Sequence, residues 1–304
     1  MFGFVVRRAG QAVVVLFLVS VVAFALVFLS GDPVAMMLPT HASEADRIEL
    51  RRELGLERPI VVQYASFVAH AARGDVGQSV RFNQPVMGLI IGKLPATLLL
   101  ATTAIALAVA IGIPLGLLSG TRPHSVLDVT GTAVCLLTVS LPSFWIGLML
   151  ILLVGDYLRW LPIAGSGGMR HLVLPALTLG AHSTGLITRL TRASVREELG
   201  QNYVVTARAK GLSAPTINYK HVLRNALIPT TTVVALQFGA LLGGSVIVES
   251  VFSWPGVGWL LMQGVFARDL PLVRAVVLVL GGAFIGLNLL VDISYRYLDP
   301  RIRY

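Results

Sequence analysis

RLTRASVREELGQNYVVTARAKGLSAPTINYKHVLRNALIP, residues Arg189–Pro229, sets seven Lys and Arg residues between two long apolar stretches. Val195, Leu199, Tyr203, Thr206 and Ala207 recur at helical spacing opposite Arg196 and Glu197, until Gly211 stops the helix as a C-cap glycine does. Ser213 and Pro215 start a second helix, in which Tyr219, Val222, Leu223 and Ala226 follow the i, i+3, i+4, i+7 pattern. The passage therefore reads as a helical hairpin. An apolar stripe on an aqueous loop requires a surface to pack on, whereas Arg208, Lys210, Lys220 and Arg224 suit either lipid headgroups or a partner.

Outward from the hairpin the chain is mostly apolar. Hydrophobic residues make up 55% of the 304 residues and charged ones only 13%, against about 25% charged in soluble domains. A mean hydropathy of +0.79 points the same way. A helix crossing the hydrocarbon core needs about 20 apolar residues. Charged residues fence off six stretches of about that length, giving spans at about 9–31, 97–119, 131–154, 171–189, 227–248 and 275–294. A seventh uncharged stretch, 250–267, opens VFSWPGVGW, where Pro255, Gly256 and Gly258 interrupt any helix, and it reads as re-entrant or interfacial. The 23 uncharged residues after Arg8 exceed the usual signal-peptide core of about 7–15, so the first stretch reads as a retained helix.

The charges orient the spans. Of 24 Lys and Arg, 13 fall on the side of the hairpin and both termini, with Glu197, Glu198 and Asp299 as the acids there. The 11 on the other side are nearly cancelled by 10 acids. Both termini and the loop 190–226 are therefore expected in the cytoplasm. The net charge of +9 is explained by this bias, and no Lys/Arg-rich arm or aromatic-interleaved basic stripe supports nucleic-acid binding. Outside, residues 32–93 read as a cap of two short helices. Ser43 and Asp46 form a capping box, Gly55 ends the first helix, Pro59 starts the next and Gly74 ends it. Such a cap is a lid or a docking surface.

Catalytic patterns are absent from the sequence. Gly88 to Leu94 is one residue short of a phosphate-binding loop and has Leu94 where a hydroxyl would hold magnesium. The six histidines never take paired-ligand spacing, and Cys135 is the single cysteine. His182 beside Ser183 lacks a GxSxG context and reads as polar glue between helices. Gly112, Gly116 and Gly120, like Gly239 and Gly243 or Gly282 and Gly286, form stripes that let helices approach closely. Pro114, Pro142 and Pro175 free backbone carbonyls inside spans, so bent helices are expected.

The strings YVVTARAKGL (Tyr203–Leu212) and HVLRNALIP (His221–Pro229) resemble the B-type permease of dipeptide and oligopeptide ABC importers, a family that includes nickel-type importers. The resemblance continues collinearly through GDP (Gly31–Pro33), GDVGQS (Gly74–Ser79), LPAT (Leu94–Thr97), SLPSFW (Ser140–Trp145), HLVLPALTLG (His171–Gly180), VESVFSWPGVG (Val248–Gly258) and DPRIRY (Asp299–Tyr304). It implies an all-α membrane protein with six transmembrane helices and the type I ABC importer permease fold, in the plasma membrane of a prokaryote. A second, similar permease, two ATP-hydrolysing subunits and an extracytoplasmic substrate-binding protein are the implied partners. No cofactor would be bound by this chain, ATP and Mg belonging to the ATPases.

The importer coupling motif, Glu-Ala-Ala, three residues, Gly, nine residues, Ile-x-Leu-Pro, is matched at Ala207, Gly211 and Leu223. Val205 and Thr206 stand at the Glu and first Ala positions, His221 at the Ile and Arg224 at the Pro. The resemblance thus implies ATPase coupling through Tyr203, Ala207, Arg208, Lys210, Gly211, His221, Arg224 and Asn225. The hairpin would act as a rigid lever that tilts the spans to alternate access. A path that bound a peptide tightly would trap it, so sparse neutral polar groups suit the lining: Thr138, Ser140, Ser143, Gln237 and Asn288, each of which also suits a role as glue between helices. Glu249, Phe252, Trp254, Pro255 and Gly256 form a broken, aromatic-bearing segment expected to gate the outer side. Short peptides are the expected cargo, with nickel chelates, porphyrin or another peptide-like solute as alternatives on the same architecture. A stand-alone secondary transporter is the competing class, disfavoured because no internal repeat is seen and Asp128, Glu249 and Asp292 lie only at span edges.

Overall fold

In lipid each backbone N–H must find its acceptor within its own segment, and the apolar stretches accordingly form helices. The computed structural model describes residues 2–29, 34, 43–53 and 55–298. The GDP and DPRIRY strings, like most of 30–42, lie outside the described residues. In order, the helices are α1 (Phe2–Leu29), α2 (Glu44–Glu53), α3 (Ile60–Ala72), α4 (Val86–Thr121), α5 (Val126–Ser140), α6 (Ser143–Tyr157), α7 (Met169–Leu199), α8 (Asn202–Ala209), α9 (Ala214–Val251), α10 (Val257–Phe266) and α11 (Leu270–Leu298). Two compact units divide the chain, Thr97–Pro255 and the remainder on either side of it.

In the flanking unit α1 packs along α11, where Gly281 leaves room for Val19: a Cβ there would sit 2.8 Å from Val19 Cγ1. Its core gathers Val76, Val86, Ile90, Val257, Leu260, Leu272, Ala275 and Val276. Buried Asp269 caps α11 by accepting from Leu272 N, and it also accepts from Ser79 Oγ and Arg81 N. One carboxylate thereby fixes the GDVGQS loop to the start of α11.

In the central unit α7 packs against α5, α6 and α9. The glycine stripe of α4 meets it in register. Cβ atoms on Gly112, Gly116 and Gly120 would lie 2.9, 2.6 and 2.7 Å from Ile187, Thr191 and Val195, one helical turn apart on each helix. In the other stripes the predicted close approach is not general, since Gly243 and Gly286 have no such neighbour within 4 Å. At the start of α5, Asp128 is 3% exposed and takes two bonds from Arg192 of α7, from Nε at 2.5 Å and Nη2 at 2.9 Å.

By length and hydropathy α1 (over Val6–Ala25), α4, α9 and α11 (over Leu270–Val291) are long and apolar enough to cross a membrane. Two boundaries differ from those expected, while the bend expected at Pro142 is present: the stretch 131–154 is α5 and α6, with a bend of 112° between them. Pro142 has no N–H and disfavours helical backbone in the residue before it, so Leu141 is extended (φ −85°, ψ 138°) and α6 restarts from Pro142. The first hairpin helix does not run to Gly211: α7 ends at Leu199, and Gly200 and an extended Gln201 precede α8. The helix expected at 97–119 starts earlier, so Val86 to Lys93, assigned to the cap, already belongs to α4.

The stretch 171–189 lies in α7, which has the length of a span but falls short on hydropathy because of His171, Thr178, His182, Ser183 and Thr184. Leu174, Ala176, Thr178, Ser183, Ile187, Thr188, Thr191 and Val195 are all buried, so protein rather than lipid surrounds much of this helix. Within 250–267, Ser250 and Val251 end α9 and a turn leads to the ten-residue α10, about 15 Å long at about 1.5 Å per residue.

Candidate functional site

The hairpin is built on its own core. Val195, Val204, Ala207, Ile217, Val222 and Ala226 pack together with Leu117 of α4, so the apolar stripe is covered by the second arm and by α4. Ala207 is buried there, which explains its place in the motif without any contact to a partner. Gly211 sits at φ +76° with open space around it, a conformation that admits glycine and strains other residues. Ser213 and Pro215 then open α9, which passes through a π-helical segment at Ile217–Val222 in the hairpin arm and runs on to Val251.

Arg208, Lys210, Gly211 and Arg224 are exposed, and His221 is half-buried. Val205, Leu212 and Tyr219 add exposed apolar surface to the same hairpin. Tyr203 and Asn225 are half-buried on opposite arms, and both donate to Oε2 of Glu198, at 2.7 and 3.4 Å. Burial pushes the Tyr203 hydroxyl up from its ordinary pKa, and the Glu198 carboxylate that accepts its hydrogen bond reinforces the shift. Glu198 carries no local mark in the sequence, yet it joins Tyr203 to Asn225, which lies 27 residues beyond it in the chain.

The broken helix opens a second site. A cavity of about 310 Å³ lies at the α5–α6 bend, with Thr138, Leu141 and Ser143 on one wall, Thr178, His182 and Ser183 from α7, and Gln237 from α9. A helix end leaves carbonyls without intrahelical partners, and the bend places such an end at the cavity. Three expected lining residues, Thr138, Ser143 and Gln237, come together here. Gln237 also donates to Ser183 Oγ at 3.1 Å, so it joins two helices as well as facing the cavity. Ser140 is exposed but is not on this cavity wall. Asn288 is in the flanking unit, in a groove with Arg8, Gln11 and Phe284, and does not join the set. His182 and Ser183, read from sequence as glue, line the cavity.

The expected gate is a packed knot. Glu249, Phe252, Trp254 and Gly256 are buried and Pro255 is half-buried. Thr97 Oγ1 donates to Glu249 Oε1 at 2.8 Å, which brings LPAT and VESVFSWPGVG together. Trp254 N bonds Glu249 O at 2.8 Å, and Gly165 N bonds Phe252 O at 2.9 Å. Gly147 of α6 faces Phe252, whose ring would meet a Cβ at 3.2 Å. Among the described residues no three His, Cys, Asp or Glu side chains converge as a metal site.

A bent helix lining a cavity with sparse polar groups, in the same unit as a hairpin with exposed cations, suits a transport subunit. Residues 112–304 match the family described as binding-protein-dependent transport system inner membrane component, and residues 1–101 match its N-terminal companion family. The chain belongs to this family. It is a multi-pass permease subunit of an ABC importer, a class that works with an ATPase and a substrate-binding protein. The permease is 39% identical to the glutathione transport system permease protein GsiC of Escherichia coli (strain K12) over 306 residues, covering 100% of both chains. It is 38% identical over 309 residues to a putative peptide transport system permease protein of Brucella abortus (strain 2308), covering 99% of this chain and 98% of that one. Its fold is that of type I permeases. The inward-facing MetNI methionine ABC transporter matches with a TM-score of 0.57 and 20% identity, over 70% of this chain and 97% of that one.

Proposed function

We propose that this permease forms half of the translocation pathway of an ATP-driven importer of short peptides, in the cytoplasmic membrane of a prokaryote. Six spans with both termini in the cytoplasm complete the topology, α7 supplying the fourth span and the bent α5–α6 pair the third. Residues 32–85 form the outside cap, and 250–267 is a re-entrant or interfacial segment that does not cross. A second permease, two ATPases that hold ATP and Mg, and an external binding protein complete the complex. Supporting the cargo reading are the relatives named for glutathione and peptide transport and the cavity lined by Thr138, Ser143, His182 and Gln237, whose groups are sparse and polar.

Coupling runs through exposed Arg208, Lys210, Gly211 and Arg224, while Ala207, Tyr203 and Asn225, with His221 on the second arm, keep the hairpin stiff. A lever transmits force only if its own core is closed, and the cluster around Ala207 supplies that closure. Access past Glu249 to Gly256 requires the buried knot to open, so gating there is a rearrangement of packed groups.

Reconstituted with its partners in proteoliposomes, the complex should import glutathione or dipeptides on ATP addition. Uptake of a nickel chelate or porphyrin with no peptide uptake would overturn the cargo reading. Gly211→Val, strained at positive φ but free of clashes, should lower substrate-stimulated ATPase activity and uptake together while the complex still assembles. Unchanged activity in the assembled variant would remove the coupling role.

A further inference from the structure

The helix α3, assigned from sequence to an aqueous cap, lies along α1. Tyr64 Oη and Ser20 Oγ are 2.6 Å apart, the Tyr64 ring stands 6.1 Å from Phe17 and 5.4 Å from Phe24, and Phe67 is 5.9 Å from Phe24. Residues 17–24 belong to the apolar stretch Val6–Ala25, so α3 packs beside the final turns of a membrane span. The exposed residues of α3 are apolar along one face: Val61, Ala65, Val68 and Ala72 recur at helical spacing, with Val61 73% exposed. Phe17, Leu18, Val21 and Val22 of α1 are exposed as well. Arg58 and Arg73 flank the 13-residue helix, the charge placement of a helix lying in a membrane interface.

Another face of α3, bearing Gln63, Ser66 and His70, lines a cavity of about 270 Å³. Arg58, Asp75 and Arg274 contribute its charges. Asp75 Oδ1 is engaged by Gly77 N at 3.0 Å, and His70 Nδ1 by Ser66 O at 2.7 Å. Arg274 stacks 4.5 Å above the Phe67 ring, and its buried Nε has no hydrogen-bond partner among the described residues. The cavity thus presents two guanidinium groups against one carboxylate, behind an apolar helix face.

We propose that the α1–α3 corner is a phospholipid site: acyl chains cover the Val61–Ala72 face, and the phosphate of an anionic lipid enters the cavity between Arg58 and Arg274. Guanidinium groups suit a phosphate, whose oxygens accept several charge-assisted bonds. The outer leaflet is meant, which rests on the topology proposed above; immersion itself is read independently of the side.

The test uses the complete complex carrying Cys135→Ala, reconstituted in phosphatidylcholine vesicles containing phosphatidylglycerol. Spin labels at Val61→Cys and Val68→Cys should be relaxed by oxygen and protected from a hydrophilic nickel chelate, while one at Glu57→Cys should respond to the chelate. Chelate access at 61 and 68 equal to that at 57 would overturn the site, as would protection from both reagents, which means a protein partner covers the face. Native mass spectrometry after detergent extraction should show about fivefold less phosphatidylglycerol retained by Arg58→Gln and by Arg274→Gln. Equal retention in both variants would overturn the phosphate assignment.

Discussion

Helices α1 and α7 are each long enough to cross a bilayer, yet they solve opposite problems. α1 shows Val13, Val14, Phe17, Leu18 and Val22 on its exposed surface, and beyond Gln11 its sequence is apolar apart from Ser20. α7 is packed against α5, α6 and α9 and carries Thr178, Ser183, Thr188, Thr191 and Ser194 in buried positions. Apolarity in a membrane helix thus reports contact with lipid. A helix enclosed by protein is free to be polar and small, provided that its neighbours approach closely and its hydroxyls find carbonyls. Thr178, Thr184 and Thr188 do so, bonding Leu174 O, Gly180 O and Thr184 O four residues back at 2.8 to 2.9 Å.

The largest expected effect comes from breaking that close approach. At Gly116 a Cβ would lie 2.6 Å from Thr191 Cβ and 2.7 Å from Thr188 O, and backbone cannot give way cheaply. Gly116→Leu should abolish the monodisperse folded fraction in detergent, since adding a few methylenes to a well-packed core already costs about 1–3 kcal/mol and here backbone stands in the way. Gly286→Leu, on a helix of the lipid-facing kind with no neighbour within 4 Å, should leave that fraction close to wild type. Equal yields of the two variants by size-exclusion chromatography would erase the distinction between the two helix classes.

The same distinction explains what was legible in the sequence. Apolar stretches and their charged fences located α1, α4, α9 and α11, because lipid contact leaves a compositional trace. Pro215 after Ser213 marked the start of α9, and Gly211 marked a positive φ, since both depend on local backbone chemistry. The 112° bend at Leu141–Pro142 was visible only as a proline, because its angle depends on what packs around it. The break at Gly200 was hidden by Leu199 and Tyr203, which keep helical spacing across it. Glu198 and Asp269 carry no local mark and His182 reads only as glue, for one reason: their importance comes from partners or a cavity wall distant in sequence. Thr138, Ser143 and Gln237 could be picked as polar residues in apolar stretches, but nothing local separates them from Asn288 in its different groove.

An intermediate effect is expected at the Asp128–Arg192 pair, where a polar contact fastens α7 to α5. Arg192→Met would strand a carboxylate that is 3% exposed. The cost should be about 2–3 kcal/mol, below the fully buried range because the arginine side chain is a quarter exposed. Thermal unfolding in detergent reads this as a lowered midpoint. The double variant Asp128→Asn, Arg192→Gln removes both charges and should recover part of the loss. A double variant less stable than Arg192→Met would mean that α7 is held by the charge itself rather than by avoidance of an unpaired one.

The smallest effect should come from the buried hydroxyls of α7. Thr191 Oγ1 and Thr230 Oγ1 are 3.4 Å apart, a weak contact, and Thr230 already bonds Ala226 O at 3.2 Å. Thr191→Val keeps the side-chain shape that Gly116 faces and removes only the hydroxyl. Hydrogen bonds between membrane helices contribute about 0.6 kcal/mol on average, because a helix that loses one partner finds another nearby. A double-mutant cycle of Thr191→Val with Thr230→Val should therefore give a coupling of about 0.6 kcal/mol or less. Such a value would assign the hold on α7 to the glycine stripe and its shape fit, with the hydroxyls tolerated rather than required. A coupling above about 1.5 kcal/mol would reverse the comparison: α7 would then be polar because polar contacts secure it, and the glycines of α4 would serve only to bring the hydroxyls within reach.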